Sequence, residues 1–301
     1  MIKWKRFGWS AAMMLMLLAA AGCAQTNYEY NPDNPSEQMK YKITGVEPGA
    51  GVVQATEKAV RTYDNLKGWK VKTSSSGAMA IELGEAYRRK QPIVVTGWTP
   101  HWKFAKYDLK YLEDPKNVFG KSEEIKTMVR KGLKTEKPEA YQVLDRFHWT
   151  VKDMETVMYD IQNGKSPEEA AEKWLKAHPD KADEWTKGIA VVRGDTIKLA
   201  YVEWDSEIAS THVIGRVLEK LGYKVKLTSL DNAIMWQSVA TGDSDGMVCA
   251  WLPATHGDLY KQYKNKLEDL GVNLKGAKVG LVVPAYMKNV NSIEDLQPKT
   301  K

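Results

Sequence analysis

The chain has 301 residues, 43% of them hydrophobic and 27% charged, with a net charge of +6. That length fits one large or two medium domains, and that composition excludes a largely disordered chain. The N-terminal Lys3, Lys5 and Arg6 supply half of the net charge and the rest is interspersed with acids, so no concentrated basic face for nucleic acid is present; two cysteines exclude a disulfide framework or a Cys-based zinc site.

In chain order, residues 1–22 come first and read as a secretory signal. A basic start is followed by the uncharged apolar run 11–21, which is shorter than the ~20 residues of a membrane span. The run ends in Ala20-Ala21-Gly22-Cys23, which resembles a bacterial lipobox and points to Cys23 as a lipidated first residue of the mature chain. Residues 23–40 are polar and carry Asn31-Pro32-Asp33-Asn34-Pro35, the composition of a flexible tether.

The body then repeats itself. Lys42–Glu47 pairs with Lys198–Glu203, Trp69–Lys72 with Tyr223–Lys226, and Trp98-Thr99-Pro100 with Trp251-Leu252-Pro253, at nearly constant separation. The first unit predicts strands over Tyr41–Val46, Lys70–Thr73 and Pro92–Thr96, with helices over Val52–Tyr63 and Ala78–Arg89. The second predicts strands over Ile197–Val202, Lys224–Thr228 and Gly246–Ala250, with helices over Ile208–Leu221 and Ala233–Thr241. Between them, Ser122–Lys187 reads as mostly helical. The apolar Val279–Pro284, with Ile125–Gly132 as its counterpart, predicts two strands crossing between lobes. The expected fold is α/β and two-lobed: residues 41–118 plus 278–301 form lobe 1 and residues 119–277 form lobe 2, each a mostly parallel sheet flanked by helices.

Ligands of such sheets bind beyond the carboxyl ends of the strands. Trp98, Trp204 and Trp251 all stand at such ends, in a chain with 11 Trp against 4 Phe. Indole faces attract cations, and aromatic cages hold quaternary ammonium groups; rim packing is the alternative role for each ring. After the first strand, Glu47-Pro48-Gly49-Ala50-Gly51-Val52 opens a helix whose free N–H groups suit a small anion or a carboxylate, or serve as a plain cap. Gln54 occupies the third glycine position of a dinucleotide fingerprint, which excludes that ligand. His256, five residues after Trp251, could donate a hydrogen bond to an anion, and His101 occupies the corresponding segment of the first unit. No nucleophile elbow or H-E-x-x-H run is present, which argues against a surface-anchored α/β hydrolase. Cys249 reads as inert core, and Trp69, Trp149, Trp174, Trp185 and Trp236 as structural.

The segments Gly49-Ala50-Gly51, Thr96–Trp102, Tyr201–Ser210 and Ala250–His256 resemble the glycine betaine-binding lipoproteins of OpuA-type ABC transporters, and the likeness runs from about Tyr41 to Leu296. The resemblance implies a type II periplasmic-binding-protein-like fold with the ligand between the lobes. It implies a non-enzymatic, extracytoplasmic, lipid-anchored protein that captures glycine betaine, and proline betaine too, for a membrane permease in osmoprotection, with no cofactor and no metal. Carried over by motif, Trp98, Trp204 and Trp251 form the cage for the trimethylammonium group, and Gly51, Val52 and His256 hold the carboxylate. A preference for carnitine or choline is the alternative within the same class.

Overall fold

The computed structural model describes residues 29–300; the signal segment 1–22 and Cys23 lie outside the described residues. The first unit contains α1 (Pro35–Gln38), β1 (Lys42–Thr44), α2 (Gly51–Thr62), β2 (Lys70–Lys72), α3 (Ser76–Arg88), β3 (Val95–Thr99), α4 (Lys103–Lys106) and β4 (Leu109–Tyr111). After β5 (Glu123–Arg130) come the helices α5 (Leu133–Glu136), α6 (Pro138–Arg146), α7 (Val151–Gln162), α8 (Pro167–Ala177) and α9 (Pro179–Thr186). The second unit follows as β6 (Thr196–Tyr201), α10 (Asp205–Lys220), β7 (Lys224–Ser229), α11 (Asn232–Thr241), β8 (Gly246–Leu252), α12 (Gly257–Tyr263) and β9 (Leu267–Pro284).

The helices form where the apolar spacing matches a helical turn. In α2 the buried Val52, Val53, Thr56 and Ala59 make one stripe, which packs on the sheet. The Ser75 side chain caps α3 by accepting the Ala78 N–H at 3.2 Å, a contact worth ~0.5–2 kcal/mol. α10 is packed on both sides, by α7 and α8 outside and by β6 and β8 inside, so most of its length is buried. The strand expected over Pro92–Thr96 instead runs from Val95 to Thr99. Pro92 has no N–H to give a ladder, and β3 pairs along its whole length only where β9 faces it.

The two units share one topology. β2, β1 and β3 lie side by side in parallel and β9 adds antiparallel to β3; β7, β6 and β8 do the same, with β5 antiparallel to β8. The N-terminal part of β9 pairs with β5 (Ile125 opposite Leu274) and its C-terminal part with β3 (Gly97 opposite Gly280). β9 is thus one strand shared by both half-sheets. Gly276 takes φ +86 where the strand passes from one partner to the other, a backbone conformation open to glycine at little cost.

The region 133–186 is helical as expected. It buries Trp149, Trp174 and Trp185, with Trp174 and Trp185 stacked at 6.2 Å between centroids, and capping boxes at Thr150/Asp153 and Ser166/Glu169 start α7 and α8. The expected tether is shorter than residues 23–40. The Tyr30 N–H bonds Lys90 O at 2.7 Å, and Ser36, 2% exposed, accepts the Gln297 N–H at 2.8 Å. Met39 is buried as well. An apolar anchor and satisfied backbone groups dock this stretch on lobe 1, which its polar composition concealed.

Candidate functional site

The strand-end rule places the site between the lobes. Trp98 is the penultimate residue of β3, Trp251 that of β8, and Trp204 caps α10 just beyond β6. All three indoles, with Gly51, Val52 and Thr255, line one small cavity; Val46 and Val279 complete its lining. The surface facing this space is apolar and aromatic. The lobes approach closely here: a Cβ on Gly51 would stand 2.5 Å from Thr255 O, so only glycine fits. Gly51 and Val52 are the first two residues of the 12-residue α2, and among the described residues their N–H groups have no acceptor. Two free donors and the positive end of a helix dipole therefore stand at the cavity wall.

His256 is fully buried, but it is not part of the cavity lining; its ring lies nearly parallel to Trp204 at 5.9 Å between centroids. The Trp251 N–H donates to His256 Nδ1 at 3.0 Å. That assigns the ring proton to Nε2, which has no partner among the described residues. Burial lowers the imidazole to about 3, so the ring is neutral and a donor through Nε2. His101 copies the arrangement: its Nδ1 accepts the Lys103 N–H at 3.1 Å, and burial followed by the Lys103 charge lowers it to about 4.

Four charged groups around the cage were not singled out from sequence. The Trp204 indole N–H donates to Glu47 across the cleft, and the Trp251 indole N–H donates to Glu207 Oε1 at 2.6 Å. Glu207 is fully buried, and burial raises it to about 7 against the opposing bonds from Ser206 and Trp251. Asp205, in lobe 2, accepts Ser76 Oγ at 2.8 Å and Trp102 Nε1 at 2.9 Å from lobe 1, with His101 Nε2 at 3.5 Å. Burial acts to raise the Asp205 carboxyl, but the neighbouring His101 ring and the bonds from Trp102 and Ser76 outweigh it and hold it below the ordinary carboxylate range. Lys103 is fully buried with Nζ 4.1 Å from the Trp98 ring centroid, and desolvation lowers its amine to about 7. The acids directly after Trp204 were the available signal, but acids in a first helical turn read equally well as dipole partners.

Two α/β lobes, a shared strand and an aromatic cavity between them define a ligand-capture protein of the type II periplasmic-binding class. A sequence profile described as the substrate binding domain of ABC-type glycine betaine transport systems matches residues 25–177 and 195–301. The chain belongs to that family: it is a substrate-binding protein of a glycine betaine ABC importer, and its function is transport, not catalysis. It is 55% identical over 290 residues to the glycine betaine/carnitine transport binding protein GbuC of Listeria monocytogenes serotype 1/2a (strain 10403S), covering 95% of each chain. It is also similar to lactococcal OpuAC in its closed-liganded conformation with glycine betaine, at 60% identity and TM-score 0.49, over 54% of this chain and 63% of that one. A choline-binding protein of an ABC transporter, in complex with choline, matches at 27% identity and TM-score 0.46, over 66% of each chain.

Proposed function

We propose that glycine betaine binds with its trimethylammonium group among Trp98, Trp204 and Trp251 and its carboxylate at the N–H groups of Gly51 and Val52 and at His256 Nε2. One observation carries this reading: three indoles from both lobes face a single cavity beside two free helix-start donors. A quaternary ammonium has no N–H to donate and no lone pair to offer, so ring faces are the groups that can hold it, at ~0.5–2 kcal/mol each. The carboxylate then fixes orientation. His256 Nε2, buried beside Trp204 with no partner among the described residues, is the third donor of this reading.

Proline betaine also joins a quaternary ammonium, here a ring dimethylammonium, to a carboxylate and is a ligand on the same ground. Carnitine is the second reading, because the Listeria relative is named a glycine betaine/carnitine transport binding protein. The protein hands its ligand to a membrane permease, and Cys23 is its lipid anchor. Calorimetric titration of the mature chain with glycine betaine, proline betaine, carnitine and choline tests the reading. Betaine binding tighter than choline is expected, and equal affinities would remove the carboxylate site. For the anchor, Cys23→Ala should release protein from membranes or leave it untrimmed; normal trimming with unchanged membrane association would refute lipidation.

A further inference from the structure

Two of the three cage indoles do not merely pack. Trp251 Nε1 donates to Glu207 at 2.6 Å, and Trp204 Nε1 donates to Glu47. In both cases the acceptor is a carboxylate on the indole edge rather than a carbonyl or a hydroxyl. Glu207 is itself held on its second oxygen by Ser206 Oγ at 2.5 Å, so its orientation is fixed. It also lies in the first turn of α10, where the helix dipole favours negative charge. Trp98 contrasts with these two: its Nε1 has no partner among the described residues, and the Lys103 amine lies over its ring.

A carboxylate on the N–H edge pushes electron density toward the ring, deepens its negative face, and adds its own Coulomb attraction to a cation beyond that face. In a buried site that attraction is screened far less than in water. We propose that Glu207 and Glu47 are specificity-determining positioning residues: through Trp251 and Trp204 they make the cavity select a cationic trimethyl group over a neutral one of the same shape. The inference rests on the proposed betaine reading. It adds that the negative charge behind two of the cage walls, and not the ring faces alone, carries the discrimination.

Glutamine at position 207 keeps an oxygen acceptor for the indole N–H and removes the charge, so it separates holding the ring from charging it. The probes are glycine betaine and 3,3-dimethylbutanoate, in which carbon replaces the quaternary nitrogen with the same carboxylate and nearly the same volume. Titrations at pH 8, above the value to which burial raises Glu207, keep the carboxylate ionised in the free protein. Glu207→Gln is expected to weaken betaine about tenfold, the equivalent of ~1.4 kcal/mol, while the analogue, an anion whose tert-butyl head is uncharged, loses less than about twofold or binds more tightly. Glu47→Gln, at a half-exposed position where folding is not at risk, is expected to act in the same direction. Wild-type betaine affinity in folded Glu207→Gln and Glu47→Gln would overturn the proposal and leave the betaine reading standing. Equal losses for both ligands would also overturn it, by reducing the carboxylates to ring supports. A wild-type protein that fails to bind betaine would overturn the reading and the inference together.

Discussion

Replacing His256 by alanine removes two functions that the structure assigns to different nitrogens. Nδ1 satisfies the buried Trp251 N–H at 3.0 Å, and Nε2 is the free donor proposed for the ligand carboxylate. Losing the first leaves an unpaired buried donor, a cost of ~1–3 kcal/mol in folding stability. Losing the second removes a hydrogen bond to a charged group, ~1.5–3 kcal/mol, or roughly ten- to over a hundredfold in betaine affinity. Choline has no carboxylate, so its affinity should change little. The pH dependence follows from burial. The unfolded imidazole titrates at its ordinary 6.5 and the folded one at about 3, so between these values the unfolded chain binds the extra proton. Stability is therefore present above 6.5 and lost as pH falls toward 3, by up to about 1.4 kcal/mol per unit for this group. The variant should start less stable at pH 7 and lose less on acidification. The assays are calorimetric titration with betaine and choline, and thermal unfolding from pH 7 to pH 4. Wild-type betaine affinity in a folded variant would take His256 out of the site, and an unchanged acid slope would refute the buried neutral imidazole.

Alanine at Trp98, Trp204 or Trp251 should weaken betaine and choline alike, with at least the ~0.5–2 kcal/mol of a lost cation–π face; Phe or Tyr should rescue better than Leu, and equal rescue by Leu in titrations would reduce the cage to a hydrophobic wall. Asp205→Asn weakens the charge-assisted bonds from Ser76 and Trp102 that join the lobes. It should lower affinity for every ligand about tenfold, consistent with one weakened charged hydrogen bond, and an unchanged titration would show that closure does not draw on it. Gly51→Ala puts a Cβ against Thr255 O. It should hold the lobes apart, and small-angle scattering should then lose the compaction that betaine produces in the wild type; normal compaction would contradict the close approach.

The repeat and the strand-end rule brought Trp98, Trp204, Trp251, Gly51 and Val52 into one cavity from sequence, because residue type and topology are local or periodic signals. His256 was legible as a donor near the last cage ring, but its place beside Trp204 depends on how β8 turns into α12. Glu47, Glu207, Asp205 and Lys103 were not singled out. Their contacts join residues that are far apart in the chain or hidden in first turns, where an acid has an ordinary reading. The first part of β9 was missed for a different reason: Gly271 and Gly276 interrupt its alternation, and its partner β5 is well over a hundred residues away. Residues 30–40 misled through composition, since a polar stretch docks as well as an apolar one when its backbone finds partners.

The docking of that N-terminal stretch sets a short leash. Ser36 is bonded to Gln297, and Asn289 Nδ2 donates to Pro32 O at 2.5 Å, so the chain leaves the body from lobe 1. Between the proposed anchor at Cys23 and the first docked residue, Tyr30, even a fully extended backbone reaches at most ~25 Å. Such an anchor would confine lobe 1 to a thin layer above the bilayer, while among the described residues lobe 2 has no helix long and apolar enough to cross it. With that anchor, ligand search would become the opening and closing of one free jaw against a nearly stationary one. The distance to the proposed permease would become a lateral journey in two dimensions, with little freedom to drift away in the third.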